Sequence, residues 1–333
     1  MKRDIGASIV SAVPAAEVQR WWRNRELLAV LFVPAVILLL PLAFTSNYSI
    51  RVLALIWIMG LAAIGLHIVL GLAGQVSLGH AGFFGLGAYA CAVLPKHFDV
   101  PPLAAVLAGT AASAVLAWIV GRPILRLKGH HLAVATLGIA LVIGLVLANE
   151  ARWTGGPDGT AVIRLRFGDQ VLAKPMVWYW ISGGVLVFGN AVAFALRRSP
   201  TGRAWRAILD SETAAASLGV DVARRKLQAF VIAAVYASVA GSALALMNGF
   251  VTPDVASLMT SIELVAMVVL GGSSTPIGAI AGAALLTASP QIFASFHMFQ
   301  EIAIGLVVMF SMTYLPRGLI PALGRLLERI GRR

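Results

Sequence analysis

Seven uninterrupted apolar runs, at 27–44, 52–72, 78–94, 103–121, 132–148, 176–196 and 229–250, constrain this chain more than any other feature. About 20 apolar residues in helical form span the roughly 30 Å of a bilayer's hydrocarbon core. Inside hydrocarbon a segment must satisfy its own backbone hydrogen bonds. Continuous runs therefore predict helices, whereas barrel strands alternate over about ten residues. The expected fold is an all-α integral membrane protein, a polytopic helical bundle. Composition agrees: 59% of the 333 residues are hydrophobic and 12% charged, with a mean hydropathy of +0.88. Soluble domains are about a quarter charged, so an ordinary soluble enzyme is excluded, and so is a disordered chain. Cys91 is the one cysteine, which leaves no intrachain disulfide or cysteine-based zinc site, and the six histidines form no ligand set. His130 and His131 adjoin a basic loop, and as neighbours on a helix they are not expected to face each other.

The net charge of +12 would fit a nucleic-acid binder if the basic residues formed one patch. Instead they flank the apolar runs, so no nucleic-acid partner is expected. Residues 1–26 carry acids as well as bases, and no small-residue cleavage site follows 27–44, so that run reads as an uncleaved first span. With the N-terminus in the cytoplasm, the segments 1–26, 122–130, 197–228 and the C-terminal tail hold 20 of the 26 Lys and Arg. Arg51, Lys96, Arg152, Arg164, Arg166 and Lys174 fall on the other side. That bias predicts cytoplasmic N- and C-termini. The expected division is a cytoplasmic segment at 1–26, a membrane domain at 27–316 and a basic cytoplasmic tail at 317–333. Seven spans leave residue 251 outside, so a cytoplasmic C-terminus needs an even total. The stretch 262–290, broken by Gly271-Gly272-Ser273-Ser274-Thr275-Pro276, is then a re-entrant pair, giving eight spans, or two short helices, giving ten.

Glycine and small polar residues concentrate in two places, 71–89 and 271–282. Broken helices in transporters often mark the substrate pathway, because irregular backbone survives there only against protein or water. The candidate pathway residues are Gly74, Gln75, Ser77, Gly79, His80, Gly271, Gly272, Ser273 and Ser274. Close helix packing is the competing explanation for the glycines, with Gly278 and Gly282 as a small-xxx-small pair and Gly82 and Gly85 as another candidate pair. Both places open on Val-Leu-Gly, at 69–71 and 269–271, too short a likeness to define a repeat. No lysine stands in a GxxxxGK[ST] context, so any ATP that drives transport must bind another chain.

The loop 197–228 offers helix signals that a topological anchor does not need. Ser199 or Thr201 can cap a helix through Leu209, Asp210 or Ser211 a second one through Leu218, and Gly219 follows as a natural terminator. Ala214, Ala215 and Leu218 are expected to form its apolar face.

Three blocks resemble the LivM-type permeases of branched-chain amino acid ABC importers. GLAGQVSLGHAGFFGLGAY at 71–89 is similar to that family's GLAGQxSLGHAxFxGxGAY. Residues 201–230 follow its TGRAxRAIxxxExAAxxLGVxVxRxKLxAF pattern. The third block, VVLGGSSTPIGAIAGAALLTASP, has Ser273-Ser274-Thr275-Pro276 where the family more often has a glycine-containing turn. With TGGPDG at 154–159 and Tyr-Leu-Pro-Arg-Gly-Leu at 314–319, the likeness covers roughly 50–320. The resemblance implies a bacterial inner-membrane transport subunit, not an enzyme. It implies a second homologous permease in a heterodimer, two ATP-binding subunits carrying ATP and Mg, a periplasmic substrate-binding protein and surrounding membrane lipid. No cofactor is then bound by this chain. The resemblance also assigns Glu212, Ala214, Ala215, Leu218 and Gly219 to a coupling helix entering a groove on the ATPase, so that Ala215→Arg should block docking yet leave folding intact. Urea and amide permeases share these blocks, so the substrate stays open. A secondary transporter would need paired intramembrane carboxylates, and only Glu263 and Glu301 are available. An intramembrane enzyme would need more than the Ser77 and His80 pair.

Overall fold

The computed structural model describes residues 31–292, except 45, 128, 168, 169 and 274, together with Met309. The terminal segment 1–26, the run at 299–315 and the basic tail therefore lie outside the described residues, as do Ser274, His297 and Glu301. Residues 1–43 and 44–333 form two units. In the first, α1 (Leu31–Ala43) is a short apolar helix.

The second unit is a helical bundle. It runs α2 (Asn47–His67), α3 (His80–Phe98), α4 (Pro102–Ile124), α5 (His130–Asn149), short α6 (Ala151–Thr154) and α7 (Pro175–Arg198). Then come α8 (Pro200–Asp210), α9 (Glu212–Ser217), α10 (Val222–Asn248), α11 (Leu258–Gly271) and α12 (Pro276–Ile292). Five helices among the described residues are both long and apolar enough to cross a membrane: α2 with its extension to Leu72, α4, α5, α7 and α10. The protein is thus an all-α, multi-pass membrane protein. The predicted run at 78–94 folds as α3, 19 residues long but diluted by glycine and carrying Lys96 and His97 in its last turn.

α10 lies at the centre, against α2, α3 and α4, while α2 also packs on α7 and α12. Because lipid tails are as apolar as the side chains, such helices gain by bringing backbones close through small residues. A Cβ on Gly241 would overlap the Phe84 carbonyl, and one on Gly87 would overlap that of Ser238. The Ser242 hydroxyl donates to the Gly87 carbonyl at 2.9 Å across the same seam. The packing explanation holds for the other named glycines too. Gly82 meets Ala140, Gly85 meets Ala256, Gly278 faces the Gly271 and Gly272 carbonyls, and Gly282 abuts the Met267 carbonyl. Those last contacts make α11 and α12 an antiparallel pair. The pair retraces α2: Ile280 lies against Gly60, and the Ser273 carbonyl against Gly71. The two Val-Leu-Gly segments therefore end beside each other.

Connections gather at two ends. At one, strands β1 (Thr160–Ala161) and β4 (Phe250–Val251) pair antiparallel, and β2 (Arg166–Phe167) pairs with β3 (Gln170–Val171). There Lys96 Nζ donates to Thr160 Oγ1 at 2.9 Å and Arg51 to Asn248 Oδ1 at 3.1 Å. The other end holds α8, α9 and the basic residues that flank them. His130 and His131 depart from expectation, with ring centroids 4.0 Å apart. They are the first two residues of α5, directly after Gly129 at φ 58°.

Candidate functional site

The loop 197–228 folds as two capped helices. Ser199 Oγ accepts from the Gly202 amide, Pro200 occupies the first helical position, and α8 follows. Trp205 is fully buried and its indole N–H donates to the Arg225 carbonyl at 2.8 Å, which fastens α8 to the start of α10. A Cβ on Gly202 would overlap the Leu196 carbonyl, so only glycine allows α8 to fold back on the end of α7.

Ser211 then caps α9 through the Ala214 amide. Asp210, the other sequence candidate, ends α8 instead. Gly219 adopts φ 81°, with its amide bonded to the Ala216 carbonyl and the Val220 amide to that of Ala215. This is the paired end-bonding a left-handed residue permits, and it closes α9 sharply. The expected single apolar face does not form. Ala215 is 1% exposed and turned into the chain's own bundle, while Leu218 is 82% exposed and Ala214 also faces outward. The reason is the length of α9: six residues pressed against the bundle give it one inner line, and Ala215 occupies it. Glu212 is likewise engaged within the chain, in an ion pair with the buried Lys226.

The segment after α2 is the second candidate. One π-helical turn, Ile68–Leu72, ends the helix, and 73–79 runs without regular structure to α3. Gln75, Ser77 and Gly79 are buried, and Gly74 and Val76 exposed. Ser77 Oγ lies 3.1 Å from His80 Nδ1 and accepts from the Gly79 amide. The Leu78 amide donates to Thr136 Oγ1 and the Ala81 amide to Ser261 Oγ, which ties the break to α5 and α11. His80 sits edge-on to Phe83 and Phe230. Both Gln75 side-chain polar atoms and His80 Nε2 are buried with no protein partner among the described residues. Among the described residues no carboxylate is bonded to the Ser77 and His80 pair, which stands at the start of α3.

Sequence reasoning passed over two residues. His67 is fully buried beside Gly71 and the Ser273 carbonyl, with neither ring nitrogen bonded among the described residues. Asn190 of α7 is likewise buried, with no partner for its side-chain amide among the described residues. Polar groups inside otherwise apolar runs were the available signal. Gly271 and Gly272 are buried where the α11–α12 turn meets α2, and Ser273 is exposed there. Glu263 lies on the exposed side of α11, without a basic partner among the described residues. The two candidates touch: Leu209 of α8 packs on Gly74, whose φ is 66° and whose missing side chain leaves room for it. No step in this arrangement needs a bond to form or break. Through the contact of Leu209 with Gly74, α8 meets the break at 73–79.

Residues 48–315 match the family described as branched-chain amino acid transport system permease component. The chain belongs to that family. It is 31% identical over 305 residues to the high-affinity branched-chain amino acid transport system permease protein LivM of Escherichia coli, covering 83% of this chain and 71% of the relative. Similarity to the LivH permease of the same organism is 26% over 247 residues, covering 68% and 78%. The autoinducer 2 import system permease protein LsrC of Enterobacter is 29% identical over 307 residues, covering 86% and 85%. No solved structure matches the chain. Like the rest of its family, the chain is a transport component and not an enzyme.

Proposed function

We propose that this permease is one half of the membrane channel of an ATP-driven importer for branched-chain amino acids in the bacterial inner membrane. The observation that carries this reading is the family match across 48–315, with a LivM relative aligned over most of both chains. The LivH likeness supports a second, homologous permease as partner. Two ATP-binding subunits with ATP and Mg would supply the energy, since this sequence holds no nucleotide loop. A periplasmic binding protein would deliver substrate to the end formed by 150–174 and 249–257. The basic end, with α8 and α9, faces the cytoplasm in this reading. Because α12 retraces α2 past Gly60, α11 and α12 count as two short crossings, and with the run at 299–315 the total is ten.

Docking uses the outward face of α9, namely Ala214 and Leu218, with Gly219 turning the chain away and Glu212 holding the helix to Lys226. ATPase closure would push α8, and Leu209 would pass the movement to Gly74 and the break. Gln75, Ser77 and His80 are the pathway groups of this chain. The test is reconstitution of the permease pair with its ATPases and binding protein in proteoliposomes. ATP-dependent leucine uptake that is lost when this chain is omitted is the expected result. Uptake driven by an ion gradient without ATP would overturn the reading.

A further inference from the structure

A groove of about 420 Å³ opens at the basic end between α4, α7, α8 and α10. Its construction starts at Gly121, where a missing side chain lets α4 close on Leu227 and Phe230 of α10. One turn deeper on α4, Trp118 stands at the groove's edge, 45% exposed, with the Arg122 guanidinium 3.7 Å above its ring. Leu196, at the end of α7, forms the opposite wall.

The groove changes character with depth. Thr201, Arg224 and Gln228 line its outer part, and Val231 and Ile232 its inner part, about 10 Å further along α10 at helical rise. The Arg225 guanidinium donates to both Thr201 Oγ1 and Gln228 Oε1 at 3.1 Å, so the mouth is held in shape by a cation bonded to neutral oxygens. Arg224 is exposed at the mouth; its backbone amide donates to Asp221 Oδ1 at 3.0 Å, and no carboxylate is bonded to its guanidinium among the described residues. The outer part is thus cationic and the inner part apolar, along one axis parallel to the helices. A headgroup phosphate with an acyl chain below it has this order of chemistry and this direction. A protein surface meeting the groove sideways would have to bury Arg224 against an acid and place an apolar side chain about 10 Å deeper.

We propose that this groove binds one anionic phospholipid of the cytoplasmic leaflet. The phosphate meets Arg224, with Arg122 and Arg225 contributing charge, and one chain lies along Leu227, Val231 and Ile232 beside Trp118. Basic pockets between membrane helices on the cytoplasmic side recognise lipid headgroups by this combination of charge and apolar depth. Thr201 belongs to α8, so the lipid touches the element that leads to α9. The leaflet rests on the orientation given under Proposed function, but charge selectivity in the groove does not depend on transport or on sidedness.

Native mass spectrometry of the purified full-length chain, titrated with phosphatidylglycerol or phosphatidylcholine, tests it. One phosphatidylglycerol should be retained in preference to phosphatidylcholine. Arg224→Glu should weaken that retention at least about fivefold, the effect of one interfacial charge. Ile232→Trp, which fills the inner part, should lower retention of both lipids. Arg126→Glu, the same charge change outside the groove, should leave retention unchanged. Equal retention of the two lipids, or retention indifferent to both groove variants, overturns the proposal. It is also overturned if a cysteine at Gln228 cross-links to the second permease in the assembled complex, since the groove would then be a protein interface. Failure of ATP-driven leucine uptake would count against the transport reading and leave this result standing.

Discussion

Ala215 and Leu218 are three residues apart, yet one is 1% exposed and the other 82%. Ala215→Arg is therefore a folding variant, not a docking variant. A guanidinium forced into the bundle costs about 3 kcal/mol or more unless paired, so the variant should show reduced abundance and a lowered melting temperature in fluorescence-detected size-exclusion runs. Leu218→Glu is the docking variant. It should keep the wild-type melting temperature while ATPase retention on the purified permease falls about tenfold or more, the scale of an interface anchor. Normal retention by Leu218→Glu would remove α9 from the coupling interface. Glu212 belongs to the same scale. Its loss leaves the Lys226 ammonium buried, and because Glu212 is partly exposed the cost should be about 2 kcal/mol, below the range for fully buried pairs. Lys226→Met combined with Glu212→Gln should recover most of that stability, read as the melting temperature of the double variant against Glu212→Gln alone.

Helix pairs are held by backbone approach, so glycines that look alike in sequence differ in consequence. Gly282 faces the Met267 carbonyl of α11, and a valine there cannot be placed without parting the two helices. Gly282→Val should destabilise the α11–α12 pair by about 3 kcal/mol or more, seen as protease sensitivity in the turn at 272–275. Gly138 has open space around it in the middle of α5. Gly138→Ala should be neutral or stabilising by about 0.5–1 kcal/mol, the ordinary helical preference. Equal responses to the two substitutions would show that the close approaches are not what holds the hairpin. The sequence marks both positions only as glycine in an apolar run, because the contact that separates them comes from another helix.

The helical bundle of the second unit has two chemically distinct ends, and the orientation of the protein can be read by labelling. Asp158 and Arg203 are both exposed, one in the 150–174 connection and one on α8. A cysteine replacing Asp158 should react with an impermeant maleimide from the periplasm alone, and one replacing Arg203 from the cytoplasm alone. Labelling of Asp158→Cys from the cytoplasm would invert every assignment of partner to surface.

Helical class, membrane residence and the two-ended charge bias follow from sequence alone, because each depends on local facts: length of apolar run, helical rise and the count of bases beside it. The caps of α8 and α9 were legible for the same reason, since Ser199, Ser211 and Gly219 act on backbone within three residues of themselves. Which side of α9 meets the bundle, the burial of His67 and Asn190, and the contact of Leu209 with Gly74 were decided only in three dimensions. The approaches of His67 to Ser273 and of Leu209 to Gly74 join segments 206 and 135 residues apart, and the side of α9 that is buried depends on how a short helix rolls against its neighbours. A periodic pattern can say that a helix has an inner face when apolar and polar residues alternate around it. In a chain where nearly every face is apolar, that contrast is missing, and packing against the other helices makes the choice.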